Sequence, residues 1–140
     1  MKQAQHHGVI VLDLFGGMGA MLEGILRTGL RVISYRHCDI DNIATQVMRH
    51  RLVGLMMQYP SQLSTEATSD TFDTMPTDVQ DIKTTQLEEL VQQMITTQAV
   101  IFVAAGFPCQ DLSAAGGSPK GLSGSRSGLF YPTVELIAEL

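Results

Sequence analysis

Of the two cysteines in this 140-residue chain, Cys109 stands in a setting suited to chemistry: Pro108-Cys109-Gln110, followed by Ser113 and a tract rich in glycine and serine. A free cysteine is most often a small buried hydrophobe, and a thiol with an ordinary pKa of about 8.5 needs help to react at neutral pH. The neighbours argue for reactivity here. Pro108 fixes φ and has no N–H, Gln110 brings an amide that donates and accepts, and the tract beginning at Ser113 offers a cover for a substrate. Pedestal, nucleophile and cover together suit covalent catalysis.

A second group of residues is acidic. Asp13, Asp39 and Asp81 fall at the end of a first strand, at the end of a second strand and before a third helix, where a nucleoside-binding fold would use them. An acid after the second strand can accept both ribose hydroxyls, and backbone N–H groups at the first helix can hold a carboxylate. Each acid taken singly also reads as a helix cap. Gly16, Gly17 and Gly19 form a turn after the first strand but do not spell the G-x-G-x-x-G dinucleotide fingerprint.

These residues need strands and helices to position them, and the apolar pattern supplies both. Residues 100–103 form a short apolar, partly β-branched run that predicts a strand buried on both faces, with Cys109 just beyond its carboxyl end. Residues 9–12 predict a first strand, and Met18, Met21, Leu22, Ile25 and Leu26 recur at helical spacing until Gly29 closes the helix. Residues 31–35 predict a second strand. Ile40, Ile43, Ala44, Val47 and Met48 predict the next helix, with Asp39 or Asp41 as its N-cap. A possible capping box, Thr85 to Glu88, precedes a third helix marked by Leu87, Leu90, Val91, Met94 and Ile95. Pro132 fits a helix N1 position, with Val134, Ile137 and Leu140 as its apolar stripe. Such alternation predicts an α/β fold, a parallel sheet with helices on both faces.

Between these elements, residues 54–79 are rich in Ser, Thr, Gln, Met and Asp, with Pro60 and Pro76, and read as a flexible surface insertion whose removal over 62–74 is expected to matter little. The composition, 44% hydrophobic and 16% charged, describes one globular domain without a membrane span. No secretory signal is visible in the polar first residues, and Cys38 and Cys109 have neither metal-ligand nor disulfide-framework spacing, so an intracellular setting is expected. The net charge of −5 argues against a domain that grips nucleic acid over its whole surface, though not against a core that meets it through loops.

In order and in most spacings, these motifs resemble the cytosine-C5 DNA methyltransferases. DLFGGMGA (13–20) looks like their first motif, Asp39 their ribose-binding acid, Asp81-Ile82 their third motif, GFPCQDLS (106–113) their catalytic motif and KGLSGSRSGLF (120–130) the stretch that follows. CQDLS followed by KGL is similar to the eukaryotic de novo branch, which would place the protein in a nucleus. The resemblance implies a Rossmann-like class I fold with S-adenosylmethionine as cofactor and duplex DNA with a flipped cytosine as substrate. Cys109 would add to the ring, supported by Pro108 and Gln110. Phe15 would pack on the adenine, the backbone of Asp13, Leu14, Gly16, Gly17 and Gly19 would hold the methionine end, and Asp39 and Ile40 the ribose. Asp81 and Ile82 would meet the adenine, Leu129 would close the pocket, and Ser113, Lys120 and Arg126 would contact DNA.

The family's ENV and QxRxR motifs and its target-recognition region do not occur in these 140 residues. Residues 1–140 are therefore expected to form a single, incomplete catalytic domain, inactive and poorly soluble or self-associated alone, that needs a segment or partner carrying those parts. Glu135 and Glu139 are read as solvated rather than as substitutes for the missing glutamate. Two other readings stay open: a transfer-RNA cytosine-C5 methyltransferase, which shares PCQ, and a catalytically silent S-adenosylmethionine-binding or regulatory module.

Overall fold

The strand β1 (Val9–Leu14) is buried along its whole length, because its alternate side chains feed two different apolar layers. The computed structural model describes residues 7–109, 112 and 120–140. Around β1 stand β2 (Val32–Cys38) and β3 (Val100–Ala105), all parallel, in the order β2-β1-β3. Between them run α1 (Ala20–Arg27), α2 (Asn42–Gln58), the single turn α3 (Thr65–Thr68) and α4 (Thr84–Thr97), and α5 (Phe130–Ala138) follows β3. Val9 and Val11 pack with Leu22, Ile25 and Leu26 of α1 and with Met48, Leu52 and Leu55 of α2. Ile10, Leu12 and Leu14 pack on the opposite face with Leu87 and Leu90 of α4 and Leu136 of α5. Helices thus cover both faces of a parallel sheet, as the alternating pattern predicts.

Several expectations are corrected. All three strands run further than their apolar cores, and Asp13 falls at the end of the first strand, as expected. β3 is not buried on both faces. Ile101 and Val103 pack toward α4, but Val100 and Phe102, in register with Val9 and Val11, are 41% and 40% exposed. The α1–α2 layer covers β1 and β2 and stops short of this edge strand. Met18 and Met21 are exposed as well, and the buried stripe of α2 is Met48, Leu52 and Leu55 while Ile40 and Ile43 face outward. The α4 cap is Lys83, whose N–H donates to the Gln86 side chain at 2.8 Å, in place of the Thr85 and Glu88 pair. In α5, Thr133 and Leu136 are buried, Val134 and Ile137 are exposed, and Pro132 is the third residue of the helix and not its first.

The segment 54–79 is the largest departure. Its first residues continue α2, and the rest forms a strap along the outer edge of β2. Val32 N–H donates to the Gln62 carbonyl at 2.7 Å and His37 N–H to the Thr71 carbonyl at 3.0 Å, so strand-edge groups that would face solvent are paired. Leu63, Ala67, Thr71, Met75 and Val79 are all buried. On the strand side, Arg36 donates to Thr74 Oγ1 at 2.6 Å and pairs with the Asp70 carboxylate at 3.5 Å. Polar composition concealed a packed element, because its apolar residues bury against β2 rather than against each other.

Candidate active site

The turn from β1 to α1 is fixed from several sides. Phe15 follows the strand with φ 58, the left-handed region, which costs a bulky residue about 1–2 kcal/mol and needs support from its surroundings. Gly16 N–H donates to the Cys38 carbonyl at 3.1 Å, and Gly17 N–H donates to Asp39 Oδ2 at 2.8 Å. Arg51 of α2 donates to the Met18 carbonyl at 2.5 Å and pairs with Glu23 of α1. Gly19 caps α1 with φ 76, a left-handed conformation that favours glycine, and a Cβ there would displace the end of the Met48 side chain, whose sulfur lies 2.1 Å from that position.

Beneath this turn lies a buried polar cluster. The Tyr35 hydroxyl donates to Asp13 Oδ2 at 2.7 Å. Burial lifts the Asp13 carboxyl above its ordinary value, against the pull of the Tyr35 hydrogen bond and of nearby His37. Burial likewise drives the Tyr35 hydroxyl well upward, with the Asp13 charge acting in the same direction. Asp13 therefore supports the loop from below and does not line the cleft above it.

That cleft, of about 680 Å³, opens at the carboxyl ends of the strands and is lined by Phe15, Asp39, Ile40, Val79 and Leu129, with Pro108 and Arg126 on the far side. Its volume falls in the usual range for small-molecule sites, roughly 300–1,000 Å³. Asp39, Asp41 and Asp78 give it acidic walls. The Asp39 carboxylate accepts one backbone N–H on each oxygen, from Gly17 and from Asp41 at 2.7 Å. About two of its four lone-pair positions remain for a ligand, a good match to paired hydroxyls. Asp41 carries the N-cap of α2, accepting from Ile43 and Ala44 N–H, so the choice between Asp39 and Asp41 as cap falls to Asp41.

Several residues expected at the site do not line the cleft, among them the turn glycines Gly16, Gly17 and Gly19. Asp81 and Ile82 line a separate, more open depression with Pro76 and Lys83, whereas Asp78 and Val79 face the cleft itself and Gln80 borders both. The 3-10 turn Val79–Asp81, capped by Asp78 accepting from Gln80 N–H at 2.9 Å, produces this rotation. Leu14 is wholly core, its carbonyl accepting Gly106 N–H at 3.3 Å. Lys120 is exposed and away from the cleft, which Arg126 does line. Gln110 and Ser113 lie outside the described residues.

The two thiols differ sharply. Cys38 is buried at the end of β2 and donates to the Thr77 carbonyl at 3.4 Å, and burial, aided by Asp39, pushes its thiol up to about 12. Cys109 is exposed beside the cleft-lining Pro108, with its carbonyl accepting Leu112 N–H at 2.9 Å. Phe107 anchors this segment edge-on against Phe130 of α5 at 5.5 Å. Sequence reasoning had not singled out Tyr35, His37, Arg51 or Asp78 for the site. Of these, only Asp78 had a readable signal, an acid next to a β-branched apolar residue just before the 81–82 pair.

Among the described residues no helix is long and apolar enough to cross a membrane. Over 52 residues the chain is 48% identical to the type II methyltransferase M2.BsuMI of Bacillus subtilis (strain 168). That match covers 37% of this chain and 13% of the relative's length. The sequence model of the C-5 cytosine-specific DNA methylases matches residues 9–140, and with the glycine turn, the acidic cleft and the exposed thiol arranged as described, the chain belongs to that family.

Proposed function

We propose that this chain supplies the methyl-donor site and the nucleophile for methylation of carbon 5 of cytosine in duplex DNA. The observation that carries this reading is the placing of an exposed thiol, Cys109, directly beyond a residue that lines the acidic cleft, Pro108. The residues fit S-adenosylmethionine. Phe15, Ile40, Val79 and Leu129 offer apolar surface for a flat base, and Asp39 keeps acceptor positions for the ribose hydroxyls. Asp78 takes the place expected for Asp81 at the amino edge of the base. The start of α1, which has no side-chain cap, leaves first-turn N–H groups for a carboxylate. Acidic walls suit a ligand with cationic sulfur and ammonium groups. Such a ligand, when bound, supplies an electrophilic methyl group.

Carbon 5 of cytosine is a weak nucleophile, and the base must first leave the duplex stack. The Cys109 thiolate adds to carbon 6, and the electron pair this places on carbon 5 takes the methyl group. Loss of the carbon 5 proton to a base then expels the thiolate and restores the ring. The Cys38 thiol is no competitor, being buried and held in its protonated form. Exposed Lys120, with Ser113, provides contacts to DNA phosphate, and Arg126 lies between donor and DNA. Protonation of ring nitrogen 3 is assigned to a segment bearing the ENV and QxRxR motifs, with target recognition supplied by the same partner.

The test is a covalent trap. With S-adenosylmethionine and the complementary recognition segment present, duplex DNA containing 5-fluorocytosine is expected to give a denaturation-resistant adduct, since fluorine blocks the last elimination. Cys109→Ser abolishes it and Cys38→Ser does not. An undiminished adduct in the Cys109 variant removes that residue from the mechanism. An adduct with the corresponding RNA but not with DNA reassigns the substrate, and cofactor binding without any adduct leaves a binding module.

A further inference from the structure

Gly17 has both of its peptide groups tied to the end of β2. Its N–H donates to Asp39 Oδ2 at 2.8 Å, and its carbonyl lies 3.0 Å from His37 Nε2. A carbonyl only accepts, so Nε2 carries the proton. With the peptide plane on each side of its Cα held, the residue with the widest conformational freedom is confined near its φ of 53. His37 itself has little room to move. It is 3% exposed, its ring lies 5.4 Å from the Phe72 ring and 6.3 Å from the Tyr35 ring, and a Cβ on Gly16 would come within 2.6 Å of it. Its own N–H is engaged by the Thr71 carbonyl of the strap.

We infer that His37 is a positioning residue for the methyl-donor site, acting through Gly17 on the Asp39 carboxylate. The inference rests on the reading of the cleft given above and adds a residue to it. When the Nε2–H hydrogen bond is lost, the Gly17 peptide is free to turn, and Asp39 loses one of the two backbone donors that orient it. The effect falls on donor binding and leaves the addition step at Cys109, carried on a separate segment, unaltered.

Three proteins distinguish this from simple packing: the parent, His37→Gln and His37→Asn. A glutamine amide reaches the position of Nε2 and a shorter asparagine amide does not. Amide hydrogen exchange by NMR is the first measurement, since it needs no ligand. Gly17 N–H protection is expected to persist in H37Q and to fall about three- to ten-fold in H37N, the range for loss of one hydrogen bond, while Leu26 in α1 is unchanged. The S-adenosylmethionine dissociation constant is expected to follow the same order, within about two-fold of the parent for H37Q and raised about three- to ten-fold for H37N. Equal Gly17 protection in parent and H37N, or H37Q behaving as H37N does, overturns the inference. Should H37N fail to fold, the ring ¹⁵N spectrum of the parent decides, because an unprotonated Nε2 is incompatible with the proposed bond. A parent that shows the exchange pattern but binds no S-adenosylmethionine refutes the donor-site reading and leaves the loop-holding role standing.

Discussion

The Asp39 carboxylate accepts the Gly17 N–H at 2.8 Å across 22 residues of sequence, joining the end of β2 to the turn after β1. Because Asp41 carries the cap of α2, Asp39 has no capping duty. Asp39→Ala is therefore expected to weaken S-adenosylmethionine binding by about 1.5–3 kcal/mol, the scale for a hydrogen bond to a charged group, with the fold retained. Asp41→Ala is expected to lower stability by about 1 kcal/mol. Calorimetric titration and urea denaturation measure the two effects, and an unchanged affinity in the Asp39 variant would remove it from the ribose site.

The rotation of the 3-10 turn separates two acids that look alike in sequence. Asp78→Asn, which keeps the acceptor for Gln80 N–H, is expected to raise the S-adenosylmethionine dissociation constant by about three- to ten-fold. Asp81→Asn is expected to leave it unchanged, because Asp81 lies outside the cleft. The same titration decides between them, and the opposite order would restore Asp81 to the site.

The strap over β2 can be tested by truncating its anchor. Leu63 is 1% exposed, and Leu63→Ala is expected to cost about 2–5 kcal/mol of stability, the usual range for a buried leucine. Met57, exposed on α2, is expected to tolerate alanine within about 0.5 kcal/mol. Similar urea midpoints for both variants would mean that the strap contributes no packing.

Asp13 gives a pH signature of definite sign. Its carboxyl is raised by burial, so the folded chain holds this proton more tightly than the unfolded chain does. The contribution to stability is fully present below the ordinary aspartate range and declines as pH rises through the folded value. Asp13→Asn keeps an acceptor for the Tyr35 hydroxyl and removes the titration. Relative to the parent, the variant is expected to gain stability as pH rises from 4 to 7, read from urea midpoints at each pH. A parent that gains on the variant over that range would show that the aspartate charge is stabilised at this site.

What the sequence made legible was local. The runs at 9–12 and 100–103 gave strands because β-branched residues dominate them, and Pro108 and Gly106 placed Cys109 past a strand end without knowledge of the fold. The strap was illegible because Leu63, Ala67 and Met75 are spaced among polar residues and bury against β2, a partner distant in sequence. In α2 the apolar residues are spread around the helix, so Ile40 and Ile43 competed with Met48, Leu52 and Leu55, and only the sheet decides which face is inside. His37 was silent for a different reason. A histidine within a strand carries no spacing signal, and its partner at Gly17 belongs to another turn.

The strap also sets a limit on assembly. With the outer edge of β2 paired to Gln62 and Thr71, β3 carries the open edge of the sheet among the described residues. A fibre built by edge pairing needs two open edges per molecule, so that each added chain presents a fresh one. A chain with one open edge can join a single neighbour through it, and the pair then has no edge left to offer. Among the described residues, edge pairing is thus confined to β3, and two molecules joined there would leave no second strand edge for a third.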